Sequence, residues 1–91
     1  MYMQKIILEE VSSPGCQVCK AFEEWWHAGP EKEFPNVELK KVDMTTPEGQ
    51  EMISKYMIFA SPGIIINGEM FSTGGFDKQN LLEKLKNLST S

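Results

Sequence analysis

The stretch "SSPGCQVCKAFEEWW", residues 12–26, holds both cysteines of the chain, three positions apart, where one hydrophobic pattern gives way to another. Upstream, Ile6, Ile7 and Leu8 form a short β-branched-rich run inside "QKIILEEV", which reads as a strand over residues 4–11. Ser12, Ser13, Pro14 and Gly15 carry loop chemistry. From Cys16 the pattern becomes helical: Val18, Ala21, Phe22 and Trp25 recur at steps of three and four until Gly29 and Pro30 stop it. This predicts a strand, a tight loop and a helix, with Cys16 at the helix start and Cys19 one turn further on.

Working outward, "NVELKKVDM" (36–44) reads as a second strand on Val37, Leu39 and Val42. "TTPEGQEMISKYM" opens a second helix, with Thr46 as N-cap and Pro47 at the first helical position, where its missing N–H is harmless. Met52, Ile53 and Tyr56 give that helix its buried face. Ile64, Ile65 and Ile66 form a third strand, Asn67-Gly68 a two-residue hairpin turn, and residues 69–72 the antiparallel return. The last helix starts near Asp77 and aligns Leu81, Leu82, Leu85 and Leu88, leaving residues 89–91 to fray. The order β-α-β-α-β-β-α implies a right-handed parallel crossover followed by an antiparallel hairpin in one sheet. The fold class is α/β, a four-stranded mixed sheet with helices on both faces.

At 91 residues, 41% hydrophobic and 24% charged, the chain has the makings of one packed domain over residues 1–91. A net charge of −4, with no basic run, argues against binding nucleic acid. The opening "MYMQKIILEEV" is interrupted by Glu9 and Glu10, so neither a secretory leader nor a membrane span is expected, and the cytoplasm is the expected compartment. Two cysteines in that setting serve redox chemistry or metal more often than a permanent disulfide.

The spacing Cys16-Gln17-Val18-Cys19 lets two sulfurs on one helical turn meet. Unpaired N–H groups and the helix dipole favour a thiolate at Cys16, whereas Cys19 lies deeper and is shielded. The roles follow: Cys16 attacks a substrate disulfide, and Cys19 resolves the mixed disulfide. A zinc site needs four ligands, but the chain has no second C-x-x-C and a single histidine, His27. A metal or iron–sulfur cluster would have to be shared between chains, and a buried, idle pair is the third reading.

Beyond this motif, the chain resembles the thioredoxin superfamily, in particular its short thioredoxin-like and glutaredoxin-like members. "CQVCK" (16–20) stands directly after the first strand. "KYMIFASPGIIINGE" (55–69) is similar to the family pattern K-Y-x-I-x-x-x-P, apolar strand, N-G-E, and "GGFD" (74–77) to the segment before the last glutaredoxin helix. The resemblance implies a cis Ser61-Pro62 bond beside the active sulfurs, with Pro62 and Ser61 shaping a groove in which a substrate strand could pair. It implies a dithiol–disulfide oxidoreductase with no bound cofactor, acting as a monomer on protein or small-molecule disulfides. A reductase or glutathione would recharge it. Glutathione as co-substrate would use the Ser61 backbone, Gly75 and Asp77, with Lys20 adding positive potential.

The chain departs from the family at several points. Gly15 stands where thioredoxins have Trp, Gln17-Val18 replaces both Gly-Pro and the glutaredoxin Pro-Tyr, and Met57 replaces a common Gly. Neither subfamily's redox poise therefore carries over. Glu10 lies six residues before Cys16, the thioredoxin spacing for a buried proton acceptor. The rarity of unpaired buried carboxylates favours instead a solvated Glu10 at the strand end. Asp77 has the simpler reading of an N-cap. Of the adjacent tryptophans only one can face the core, and Trp26 is taken as the exposed one. His27 is expected to be solvated.

Overall fold

The computed structural model describes residues 4–90. The elements run β1 (Ile6–Ser12), α1 (Gln17–Ala28), α2 (Pro30–Glu33), β2 (Val37–Asp43), α3 (Pro47–Tyr56), β3 (Gly63–Ile66), β4 (Glu69–Thr73) and α4 (Lys78–Thr90). The expected order holds, with one addition. Pro30 ends α1, as read, but also opens the single turn α2, because a proline at a first helical position sacrifices no hydrogen bond.

The sheet order is β2-β1-β3-β4. β1 and β2 are parallel, from Ile6 opposite Val37 to Ser12 opposite Asp43. β3 runs antiparallel to β1, with Glu10 opposite Ile64, and the Asn67-Gly68 turn returns the chain into β4. Asn67 (φ 50°) and Gly68 (φ 80°) both lie in the left-handed region, as a two-residue hairpin of this sequence requires.

Strand alternation divides the core in two. Ile6, Leu8, Ile64 and Ile66 face one side, where α1 and α4 cover them with Phe22, Trp26, Leu81 and Leu85. Val11, Val42 and Ile65 face the other, under Met52 of α3 and Ile58. Burial of such side chains contributes about 1.5–3 kcal/mol each. The caps match the sequence: Thr46 Oγ1 accepts the Gly49 N–H at 3.1 Å, and Asp77 Oδ1 accepts the Asn80 N–H at 3.0 Å.

Three expectations are corrected. The buried face of α1 is Cys19, Phe22 and Trp26, about one position round from the expected stripe, and Val18 is exposed. The tryptophans are reversed: Trp26 is 1% exposed, and Trp25 is half-covered against Phe22 and Phe76. Residues 89 and 90 do not fray. Ser89 is buried, and its hydroxyl accepts from Asn36 Nδ2 at 2.9 Å, which ties α4 to the start of β2; Ser91 lies outside the described residues.

Candidate active site

Cys16 is the N-cap of α1. Its backbone is extended (φ −76°, ψ 112°), and its carbonyl accepts the Lys20 N–H at 3.2 Å. Its sulfur occupies the place of a capping oxygen and accepts the Cys19 N–H at 3.0 Å. An N–H aimed at sulfur, together with the positive end of a 12-residue helix, favours the thiolate over the thiol. Cys19 stands a turn deeper, 3% exposed, its Cα 5.2 Å from that of Cys16, and the two are joined as a disulfide. Cys16 itself is half-buried. One sulfur is reachable and the other is shielded behind it.

Gly15 (φ 76°) makes the turn that delivers the chain into this cap. Ser13 braces it from both ends. The Ser13 carbonyl accepts the Cys16 N–H at 3.2 Å, and the Ser13 hydroxyl lies 2.8 Å from that of Ser61. Nothing in the sequence pattern singled out Ser13; its position in "SSPG" before the cap was the available signal. Through it the cysteine loop is fastened to the segment preceding β3, where Ser61-Pro62 is cis and Pro62 is buried. Thr73 Oγ1 holds the same segment by accepting the Phe59 and Ala60 N–H groups (3.1 and 3.3 Å) and donating to the Ala60 carbonyl (2.9 Å).

A cleft of about 290 Å³ opens at the cysteines, between the 12–17 loop, Lys20, Glu23 and Lys41. Lys20 lines this cleft and is exposed. Gly75 and Asp77 are not among its lining residues. The Gly75 carbonyl accepts the Ser72 hydroxyl at 2.8 Å, and Asp77, besides capping α4, lines a separate cleft with Phe71, Asn80 and Glu83. His27 is exposed, its Nδ1 3.1 Å from Glu31 Oε2.

Glu10 is the main departure from expectation. It is fully buried, and neither carboxyl oxygen has a hydrogen-bond partner among the described residues. The reason is alternation: Ile6, Leu8 and Glu10 share the face that α1 covers. Burial pushes its pKa from 4.5 up to about 8; the nearby Glu23 carboxyl adds to the rise, and Lys41 opposes it. Because the Glu10 oxygens lie beyond hydrogen-bonding reach of any described partner, the loss of water is the cause that matters. At neutral pH the group is mostly a neutral acid.

The fold and site define an α/β protein that carries a dithiol/disulfide pair on the first turn of a helix, next to a cis-proline segment, with a buried carboxyl on the strand that leads into it. The sequence matches the family model described as thioredoxin domain over residues 7–87, and the chain belongs to that family. Among solved structures it is similar to the thioredoxin of Fasciola hepatica (23% identity, TM-score 0.72, covering 96% of this chain and 84% of that one). It is also similar to mitochondrial thioredoxin 3 of Saccharomyces cerevisiae (17%, TM-score 0.71, 93% and 80%) and to a poplar thioredoxin h (21%, TM-score 0.70, 92% and 76%). At these identities the likeness establishes the thioredoxin fold. No curated protein sequence matches.

Proposed function

We propose that this protein reduces disulfides of proteins and small molecules by dithiol exchange. One observation carries the reading: Cys16 Sγ caps α1 and accepts the Cys19 N–H, while Cys19 is covered beneath it. A thiolate at Cys16 attacks the substrate disulfide and forms a mixed disulfide, releasing one substrate thiol. Cys19 then gives up its proton and attacks Cys16 Sγ, which releases the second. Two electrons pass from the pair to the substrate. Glu10 acts as proton acceptor for Cys19, its raised pKa lying near the working pH as acid–base catalysis requires. The Ser61-Pro62 segment forms the wall against which an extended substrate rests, and exposed Phe59, two residues before Ser61, adds apolar surface beside it.

The protein works as a cytoplasmic monomer. A disulfide reductase is its electron donor in preference to glutathione, because Gly75 and Asp77, the candidate contacts for glutathione, do not line the cleft at the cysteines. The test is insulin reduction with the chain as sole catalyst. The wild type is expected to turn over, Cys16→Ser to be inert, and Cys19→Ser to accumulate a mixed disulfide visible by mass spectrometry. Turnover by Cys16→Ser equal to wild type would end the proposal, and faster recharging by glutathione than by a thioredoxin reductase would reverse the choice of donor.

A further inference from the structure

Behind the active-site cleft lies a second one, of about 240 Å³, which no step above uses. It is lined by Glu10, Glu23, Trp26, His27, Glu31 and Lys41, together with Val37 and Leu39. Glu23 and Lys41 line both clefts; Cys19 lines only the first, and Glu10 only the second. Glu23 and Lys41 form an ion pair at 3.2 Å, with Glu23 24% exposed, so a carboxylate between the buried acid and water is held in place by an ammonium. Glu10, whose carboxyl is buried and unpartnered among the described residues, is one of the residues lining this cleft. Its volume is ample for relay water, given about 30 Å³ per molecule.

We propose that Glu23, held by Lys41, is a proton-relay residue that clears the Cys19 proton from Glu10 to solvent through this second cleft. The proposal rests on the oxidoreductase reading and deepens it. A buried carboxyl that retains its proton at neutral pH can accept the next one only after shedding the first, so a route out is needed in each turnover. In the step itself, Cys19 S–H transfers its proton to the Glu10 carboxylate as sulfur attacks Cys16 Sγ. The proton then passes through cleft water to Glu23 and on to bulk water, while the departing substrate thiolate takes a proton from solvent. No further oxidant or reductant is involved. Glu23 acts through Glu10 and touches no reacting atom.

The charged groups facing Glu10 are Glu23 and His27 from α1, Glu31 from α2 and Lys41 from β2. β3 places Ile64 opposite it, and α4 turns Leu81 and Leu85 inward while Lys78, Glu83, Lys84 and Lys86 are exposed.

The experiment is single-turnover reduction of a chromogenic aromatic disulfide, followed by stopped flow. The reduced protein releases one coloured thiolate on Cys16 attack and a second on Cys19 resolution. Glu23→Gln is expected to leave the first phase unchanged and slow the second on the order of tenfold at pH 7. That is less than the roughly 10²–10⁴ of losing an acid–base catalyst outright, because water still reaches Glu10. Its second-phase pH midpoint moves to lower pH, since the Glu23 carboxyl raises Glu10; Lys41→Met moves it to higher pH, and such opposite shifts have no source in a general folding defect. Imidazole buffer accelerates the slowed phase in Glu23→Gln and not in wild type, and Glu23→Asp restores the rate. An unchanged second phase and midpoint in Glu23→Gln, alongside a slowed one in Glu10→Gln, would overturn the relay and leave the oxidoreductase reading intact. Absence of any release by wild type would overturn both.

Discussion

Replacing Glu10 by glutamine should flatten the dependence of stability on pH. The folded-state pKa of about 8 stands above the ordinary 4.5, so between those values the folded chain holds a proton that the unfolded chain has released. Stability is then fully present below about pH 4.5 and is lost as pH rises, by about 1.4 kcal/mol per pH unit, until it levels off above about 8. The accumulated loss is on the order of 3 kcal/mol at pH 7 and about 5 at pH 9. A domain of 91 residues has a total of only about 5–14 kcal/mol to lose. Urea unfolding of the oxidised wild type and of Glu10→Gln, at pH 5, 7 and 9, measures the effect. Their stability difference should grow in favour of glutamine by about 2–3 kcal/mol from pH 5 to 7. The lowered Asp43, an exposed carboxyl stabilised by hydrogen bonds from Thr45, acts only at the acid end and cancels between the two proteins. Stability curves that run parallel across this range would refute a buried, neutral Glu10.

Met57→Gly should stabilise the fold by up to about 1 kcal/mol in the same urea assay. Met57 ends α3 in the left-handed conformation (φ 53°, ψ 54°) with an exposed side chain, so glycine relieves a backbone cost and loses little packing. In the opposite direction, Gly49→Ala should destabilise by about 1–3 kcal/mol or more, read as a lowered urea midpoint. A Cβ at Gly49 would collide with the Asp43 carbonyl oxygen and stand 2.8 Å from Met44 Cα, both backbone atoms that cannot yield cheaply.

Much of this protein was legible because local chemistry and tertiary demand agree. Asn67-Gly68, Thr46-Pro47 and Asp77 each solve a local backbone problem, and each performs that task in the fold. The cysteine pair was legible for the same reason, because a helix start creates its environment without help from distant residues. What was misread depends on packing between elements. Trp25 and Trp26 are adjacent, and only the seating of α1 on β1 and β3, with Phe76 arriving from beyond β4, decides which one is covered. Ser89 is held by Asn36, 53 residues away. Glu10 was misread differently. Its period-two spacing from Ile6 and Leu8 points inward, but the continuous apolar run Ile6-Ile7-Leu8 hides that alternation, and the general rarity of buried carboxylates points the other way. Ser13 has no periodic signature, since its role lies in one hydroxyl reaching across to Ser61.

The pH dependence of Cys16 alkylation is the most direct probe of the account. In the reduced protein, with Cys19→Ser to isolate one sulfur, iodoacetamide should react at Cys16 with a midpoint well below the roughly 8.5 of free cysteine. A midpoint at or above that value would mean that neither the Cys19 N–H nor the end of α1 stabilises the outer thiolate, and the chemistry assigned to the pair would lose its basis.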